Sequence, residues 1–383
     1  MKILLISRGY PTNDNPQWGC FEKDQAEALK ALGHDVTVFC LDCRFSFRPS
    51  VPKIKEIIIN GIKYYSFNGL PQVIVARLFG TKSAINIKKW MFSKLYKRLI
   101  GNGWKPDVVY SHFVGNSAAA TVLKEKFGLP LVLIEHASDL VKDQLTNIIK
   151  AQAQEAYTKA DQLITVSNYL QRNILEKFNI DSIVIPNMLG EEFLAVPPSN
   201  SQSSGDRLKF ISIGALIPRK GFKELIEALA KAHLPSNWEL VIIGKGELKR
   251  DLEIMAQDLR LNDHIKFLGS KSKSEIIQEM STSDVFVLNT KNETFGVVYI
   301  EALSQGLPCI ATRCGGAEGI VDSRDGLNVA VDNEKELIVA LEYMAAHHKE
   351  FDREYIRDKC LKRYSPEIVV KKIESVLQNS IHK

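Results

Sequence analysis

Two glutamates, Glu293 and Glu301, flank the segment whose residue types could do the most specific chemistry. An apolar run, DVFVLN, precedes this segment, and a predicted helix begins near Val297. Backbone N–H groups at a helix start favour anionic or hydroxyl-rich ligands. Three residues would supply those groups, namely Phe295, Gly296 and Val297. Eight residues at helical rise span at most ~12 Å, a length that suits a sugar hydroxyl at one end of a nucleotide sugar and a ribose at the other.

A second segment, FISIGALIPRKGF, places the adjacent cations Arg219 and Lys220 between a predicted strand and a predicted helix. The strand ends at Gly214, and a helix is predicted over about 220–232. Charged donors at a helix N-terminus would meet a diphosphate. When a nucleoside diphosphate leaves, negative charge grows on its terminal phosphate, and two fixed cations would stabilise that charge in place of a metal.

Short apolar runs alternate with amphipathic segments and would position both sites. KILLIS at 2–7 predicts a buried strand, and the rhythm restarts near residue 208 after a polar segment at 195–206. Strand and helix in this alternation predict parallel βαβ units. We expect an α/β chain of two Rossmann-like, doubly wound domains facing across a cleft, at 1–190 and 207–360. The polar segment would be a surface loop or a linker, and the amphipathic helix 365–383 would pack back on the first domain.

The donor segment resembles the retaining glycosyltransferases of the GT-B fold, the family that includes sucrose synthase and glycogen synthase (glycosyl transferases group 1, glycosyltransferase family four). Its hallmark, Glu-x7-Glu followed by an alanine and Gly-x-Pro, is matched by Glu293, Glu301, Ala302, Gly306 and Pro308. The resemblance implies that Glu293 binds hydroxyls of the transferred sugar and that Glu301 holds the ribose. It also implies a retaining reaction with no obvious enzymic nucleophile.

In the C-terminal half, two positions depart from the family's pattern. The arginine that commonly follows the glycine at 214 is Ala215 here, and Arg219 is a candidate to replace it. The acidic residue expected after Cys-Gly-Gly is Gly319, with Glu318 beside it.

The resemblance assigns roles to four further residues. Gly19 would lie in the loop that approaches the donor phosphates. His136, in HASDL, would hydrogen-bond the donor sugar or face the reacting centre, with a structural role as the alternative. Gly244, in IGKGEL, would bring its loop to the nucleotide, and Lys271 would lie near the base. His112 is a weaker candidate at another strand end.

Residues 73–105 carry eight Lys/Arg and no acid. Within this tract, INIKKWMFSKLYKRLI predicts a basic amphipathic helix. One interpretation is a core-facing helix with a solvated lysine face. The other is a helix that contacts anionic membrane lipid or a lipid-linked diphosphate acceptor. The second interpretation assigns that contact to Lys88, Lys89, Trp90 and Lys94. Nucleic acid is not an expected partner.

Length and composition bound these expectations. The length of 383 residues is sufficient for two domains. With 45% hydrophobic and 25% charged residues, the composition is that of an ordinary globular protein. Cys40 and Cys43 form a single Cys-x-x-Cys motif, whereas a zinc site needs about four ligands. We therefore expect the reduced cysteines of a cytosolic protein. The N-terminal apolar run lacks a signal-peptide pattern. We expect a cytoplasmic chain, peripheral on the inner face of the cell membrane if the basic tract binds lipid.

The resemblance thus implies a metal-independent hexosyltransferase, consistent with the absence of an Asp-x-Asp motif. The donor would be a UDP or GDP sugar, with no other cofactor and no metal. The acceptor would be a glycan or a lipid-linked saccharide in cell-surface polysaccharide synthesis. A sugar-nucleotide epimerase or a phosphorylase of the same shape is the alternative. A nicotinamide-dependent oxidoreductase is disfavoured because no Gly-x-Gly-x-x-Gly follows the first strand. A non-enzymatic binding module would require the candidate site residues to be dispensable.

Overall fold

The computed structural model describes residues 1–12, 18–42, 54–68, 72–195 and 207–382. The chain folds as two units, one formed by Met1–Asn187 with Pro366–Lys383 and the other by Met188–Ser365. The second unit begins before the polar segment, of which residues 196–206 lie outside the described part. It also continues past residue 360, since that position falls within a helix. Cys43 is outside the described residues too.

An eight-stranded sheet forms the centre of the first unit. Its strands are β1 (Lys2–Ser7), β2 (Asp35–Asp42), β3 (Ile54–Ile59), β4 (Ile62–Asn68), β5 (Val108–His112), β6 (Leu131–Glu135), β7 (Gln162–Thr165) and β8 (Ile183–Val184). They lie in the order β3-β4-β2-β1-β5-β6-β7-β8, and only the β3–β4 pair is antiparallel. The predicted strand at 2–7 is confirmed, and its continuous apolar run is explained by its burial in the middle of a parallel sheet.

Six helices connect these strands. They are α1 (Cys20–Ala31), α2 (Gln72–Phe79), α3 (Thr81–Gly101), α4 (Val114–Phe127), α5 (Asn147–Tyr157) and α6 (Asn168–Phe178). The order of the strands reverses between β1 and β5, so the loops after these two strands border the crevice in which open α/β sheets bind ligands.

The second unit is a six-stranded, wholly parallel sheet. Its strands are β9 (Leu208–Ile213), β10 (Trp238–Ile243), β11 (Ile265–Gly269), β12 (Val285–Leu288), β13 (Cys309–Thr312) and β14 (Gly326–Val329). They lie in the order β11-β10-β9-β12-β13-β14, which reverses between β9 and β12. The loops after β9 and β12 carry the two predicted donor segments, so the topology brings both to one crevice.

In the second unit, one α-helix follows each of β9 to β12, and two follow β14 before the chain returns to the first unit. They are α7 (Phe222–Lys231), α8 (Lys249–Asp258), α9 (Lys273–Ser281), α10 (Val297–Ser304), α11 (Glu334–His347) and α12 (Arg353–Tyr364). The helix predicted from residue 220 begins two residues later, because Pro218–Lys220 forms a 3-10 turn and Gly221 is left-handed.

The chain ends in α13 (Pro366–Ile381), which returns to the first unit. This helix packs against α1, β5 and β6 through buried residues such as Ile373 and Leu377. His34 Nε2 lies 2.9 Å from Glu374 Oε1 at the rim of this contact. Both units are doubly wound α/β layers, as the alternation of strands and helices predicts.

Candidate active site

Two loops meet at the switch point of the second unit, and each contributes charge. Lys220 Nζ forms an ion pair with Glu293 Oε1, and Arg219 Nη1 lies 3.9 Å from the other carboxylate oxygen. The Thr290 hydroxyl is 3.4 Å from the same carboxylate. The side chains of Lys220 and Glu293 are only 13% and 10% exposed. The fold therefore brings two adjacent cations to a carboxylate, although Lys220 and Glu293 lie 73 positions apart in the sequence.

Backbone contacts fix the two loops against each other. Lys291 N donates to Arg219 O at 2.8 Å, and Arg219 Nη1 donates to Asn292 O at 2.9 Å. Gly221 has φ +68°, and a Cβ there would lie 1.7 Å from Asn289 O. No side chain fits at Gly221 without separating the loops, so this glycine sets the position of the neighbouring Lys220.

The loops after β9 and β10 touch in the same way. A Cβ on Gly244 would lie 1.8 Å from Gly214 O. By contrast, a Cβ on Gly214 would meet Phe222 and Lys220 at 3.6–3.7 Å, an ordinary contact. The close approach of the two loops thus requires glycine at position 244. At position 214 the neighbouring atoms leave room for a methyl group.

The start of α10 lies beside this cluster. Gly296 caps the helix with φ 97°, and α10 begins at Val297, as predicted. The Phe295 ring is buried edge-on against Tyr364, with ring centroids 5.8 Å apart. Phe295 therefore offers a ligand only its backbone. Glu301 lies one turn inside α10 and is half-buried.

Lys271 follows β11 at the same edge of the sheet, two strands away from β9. Its ammonium lies 2.9 Å from Glu275 Oε1, and this hydrogen bond raises the pKa of Lys271. The predicted base contact would therefore come from an ion-paired side chain.

In the first unit, His136 follows β6 and lies among aromatic rings. Its ring is nearly parallel to those of Phe21, at 5.9 Å between centroids and 10° between planes, and His112, at 5.4 Å and 8°. Burial, with smaller contributions from His112 and Arg8, lowers the pKa of His136 to about 3. Burial likewise lowers the pKa of His112 to about 3. Both rings are neutral near pH 7 and offer hydrogen bonds rather than charge.

Glu135, which sequence reasoning missed, positions the turn that carries His136. Its carboxylate accepts hydrogen bonds from the backbone N–H groups of His136 and Ala137, both at 2.9 Å, and from the Tyr157 hydroxyl at 2.9 Å. Burial raises the pKa of Glu135, while these donors oppose the rise. An acid at the end of the otherwise apolar run PLVLIEH was the available signal.

Gly19 caps α1 at the switch point of the first unit. It has φ +73°, and a Cβ there would lie 2.3 Å from Gly9 O within the same loop. Arg8, which follows β1, forms an ion pair with Glu22 at 2.9 Å, and its guanidinium lies 3.5 Å from the Phe113 ring centroid. Arg8 thus ties the loop after β1 to the loop after β5.

The basic tract forms α2 and α3, but two of its lysines do not face outward. Lys88 is 6% exposed, and its ammonium donates to Gly115 O at 3.2 Å and to Asn116 Oδ1 at 3.1 Å. Lys89 forms ion pairs with Glu125 and Glu155. Both ammonium groups thus bind the protein in this structure, and the contact of Lys88 and Lys89 with a membrane or an acceptor stays a prediction.

Trp90 and Lys94 do lie on the outside of α3. Trp90 is 58% exposed, and Lys94 Nζ lies 5.2 Å from its ring centroid. Among the residues that the structure describes, no helix combines the length and apolar character needed to cross a bilayer.

Two Rossmann-like units, with cations and a carboxylate at the switch point of the second, define the class of GT-B glycosyltransferases. The chain belongs to the glycosyltransferases of group 1 and family 4. The model for "Glycosyl transferases group 1" matches residues 198–359, and the model for "Glycosyltransferase Family 4" matches residues 23–190. The predicted family and fold are thereby confirmed.

Individual relatives agree with this assignment. An uncharacterized glycosyltransferase of Methanocaldococcus jannaschii is 30% identical over 67% of this chain and 73% of its own length. A Bacillus subtilis glycosyltransferase named for teichuronic acid biosynthesis is 25% identical over 89% of this chain and 88% of its own. The crystal structure of the Anabaena protein HepE in complex with UDP-glucose superposes with a TM-score of 0.72 at 17% identity, covering 99% of this chain and 100% of that one. The protein is therefore a glycosyltransferase.

Proposed function

We propose that the chain is a retaining, metal-independent hexosyltransferase. It would move a hexosyl unit from a UDP or GDP sugar to a glycan or lipid-linked saccharide in cell-surface polysaccharide synthesis. It would act in the cytoplasm, at the inner face of the cell membrane. The observation that carries the proposal is the cluster of Arg219, Lys220 and Glu293 beside the start of α10.

In this proposal, the cluster binds the donor through its two cations and its helix start. Lys220 and Arg219 meet the diphosphate, together with the amides of Gly296 and Val297. Glu293 binds hydroxyls of the sugar, and Glu301 binds the ribose. The Anabaena relative binds UDP-glucose, which favours a uridine nucleotide as the first donor to test.

Arg219 would replace the arginine that the family carries where this chain has Ala215. Its guanidinium lies against the loop after β12, 2.9 Å from Asn292 O and 3.9 Å from Glu293. Ala215 is exposed on the same loop. With Arg219 in this role, the switch point would still have two cations, but one of them would lie further along the loop than in the family.

The proposed reaction breaks the bond between the anomeric carbon and the phosphate oxygen, and forms one to the acceptor oxygen on the same face. The acceptor hydroxyl gives its proton to an oxygen of the departing diphosphate, which carries away the electron pair of the broken bond. Lys220 and Arg219 stabilise the negative charge on the leaving group. In this proposal, their side chains supply the stabilisation that a metal ion would otherwise give.

Neutral His136 would take part as a hydrogen-bonding group. Because burial lowers its pKa to about 3, it cannot serve as a general acid at pH 7. Glu135 would act through His136 by fixing the backbone of its turn.

The name of a related protein supports the proposed acceptor class. The Bacillus subtilis relative is named for the synthesis of a cell-surface polysaccharide, teichuronic acid. Lipid-linked saccharides are acceptors that a membrane-associated enzyme can reach, so the exposed basic part of α3 supports this class.

A thermal-shift screen of nucleotide sugars tests the donor site. UDP or GDP at about a hundredfold excess over its Kd stabilises a folded protein by about 2.7 kcal/mol. The shift should disappear in Lys220→Ala and persist in Lys223→Ala, a matched control on α7 whose side chain is 59% exposed. An equal shift in both variants would refute the assignment of Lys220.

The reaction is tested by product analysis with the nucleotide sugar that gives the shift. Transfer should continue in EDTA, and the product should keep the donor's anomeric configuration by NMR. Glu293→Gln should abolish transfer, whereas Glu227→Gln on α7 should not. Inversion, loss of activity in EDTA, or phosphate-dependent release of a sugar phosphate would each overturn the corresponding part of the proposal, and the last would favour a phosphorylase.

A further inference from the structure

Helix α2 carries large apolar side chains that are exposed in the described part of the protein. Leu78 and Phe79 are 67% and 68% exposed, and Ile74 is 42% exposed. Ile74 and Leu78 lie one turn apart, and Phe79 ends the helix, whereas Val75 and Ala76 are buried and pack with Ala84 of α3. Single exposed apolar side chains are ordinary, but three on one short helix mark an interaction surface.

The outward side of α3 continues this surface with basic and aromatic residues. Lys82, Asn86, Trp90 and Lys94 are all exposed and recur every fourth residue, so they form one stripe along the helix. Lys97 and Arg98 extend the stripe toward its end. Lys82 lies only three residues beyond Phe79, which joins the stripe to the apolar end of α2.

The charge of this face has one sign. Neither α2 nor α3 contains an acidic residue. The acids that approach α3 from neighbouring helices, Glu125 and Glu155, bind Lys89 and Lys159. Among the described residues, Lys82, Lys97 and Arg98 have no acidic partner. The face therefore keeps its positive charge available to an anionic partner.

We propose that α2 and the exposed stripe of α3 form a docking face for an anionic lipid bilayer. Leu78 and Phe79 enter the boundary between headgroups and acyl chains, Trp90 lies at the headgroup level, and Lys82 and Lys94 contact lipid phosphates. Exposed apolar residues flanked by lysines and a tryptophan are the features by which interfacial helices bind membranes. This inference names the surface for the membrane partner and rests on the proposed function only for its biological use.

Two other partners fit the face less well. A second copy of the chain would bring identical surfaces together and place the same cations opposite each other, which repels. Nucleic acid would use the cations but gains little from Leu78 and Phe79, because phosphate contacts dominate its affinity.

The experiment is co-sedimentation of the full chain with vesicles of phosphatidylcholine alone or mixed equally with phosphatidylglycerol. We expect binding to the mixed vesicles only. Leu78→Ser/Phe79→Ser should weaken it at least tenfold. Lys82→Gln/Lys94→Gln should also weaken it, by ~5-fold for each charge removed. The matched control, Ile254→Ser/Val339→Ser in the second unit, replaces residues that are 46% and 63% exposed and should bind like the unchanged chain.

Several outcomes would overturn the inference. They are equal binding to neutral vesicles, unchanged binding by the serine pair, or a dimer in solution that the serine pair dissociates. The UDP-dependent thermal shift, measured without vesicles, separates this proposal from the donor site. If the chain shows the UDP-dependent thermal shift but does not bind vesicles, only the docking face is refuted. If it binds vesicles but shows no nucleotide-dependent shift, only the assignment of the donor site is refuted.

Discussion

The ion pair between Lys220 and Glu293 allows a quantitative test of the geometry of the proposed donor site before any substrate is added. Both side chains are nearly buried, at 13% and 10% exposure. Removing one partner of a buried pair costs about 3–5 kcal/mol, because the remaining charge stays desolvated without its counterion. Here Glu293 keeps Arg219 at 3.9 Å and the Thr290 hydroxyl at 3.4 Å, which reduces the cost of losing Lys220. We therefore expect Lys220→Met and Glu293→Gln each to destabilise the second unit by about 2–3 kcal/mol.

The double variant Lys220→Met/Glu293→Gln should cost less than the two single changes added together. It leaves no unpaired charge in the pair, so the coupling free energy should be about 1.5–3 kcal/mol, toward the upper end for contacting residues. Calorimetry should resolve this, since 1 kcal/mol shifts Tm by about 2–4 °C in a unit of this size. UDP added to the unchanged chain identifies which transition belongs to the second unit.

Additive losses within about 0.5 kcal/mol would refute the reasoning, because they would mean that the two charges do not stabilise each other in the folded chain. The exposed pair Lys231 and Glu334, at 56% and 44% exposure, provides the comparison. The same cycle there should give a coupling of at most about 1 kcal/mol.

Three further predictions concern single sites. Gly221→Ala should abolish the UDP-dependent thermal shift, whereas Gly269→Ala, with φ +70° and no atom within 4 Å of a Cβ, should only lower Tm. His112→Phe should keep kcat by preserving the ring stack on His136, while His112→Ala should lower it, and equal rates in steady-state kinetics would exclude positioning through the stack. The free energy of unfolding should fall as pH drops from about 6.5 toward 3, by about 2 kcal/mol per histidine at pH 5, because the unfolded chain binds protons that folded His112 and His136 exclude. In urea titrations, His112→Phe should show a smaller fall than the unchanged chain.

The parallel layers of both units were predictable because each strand is a continuous apolar run followed by a helical pattern. The β3–β4 hairpin was not foreseen, although Asn60 and Gly61 at its turn are a strong hairpin signal. The ion pair between Lys220 and Glu293 could not come from local spacing. It depends on the order of the strands, which places β9 beside β12.

The basic tract shows that composition alone does not reveal which way a residue faces. Lys88 belongs to the apolar stripe of α3, with Ala84 and Ile85 one turn before it and Met91 and Phe92 one turn after. That periodicity predicts a position facing the protein, where the ammonium needs acceptors, and Gly115 O and Asn116 Oδ1 supply them. The number of cations in the tract does not show this, whereas the spacing of Lys88 relative to the apolar residues does.

Three lysines at the carboxyl edge of the second sheet form ion pairs with acids. Lys220 is bound by Glu293, Lys271 by Glu275, and Lys291 by Glu224. An ammonium has three donor hydrogens, so Lys220 can keep Glu293 while it binds a phosphate oxygen. On the proposed function, Glu293 then serves two purposes, since it orients the lysine for the phosphate and binds the sugar. Substituting Glu293 should consequently weaken binding of the nucleotide alone as well as sugar transfer, whereas a residue that contacts only the sugar would leave nucleotide affinity unchanged.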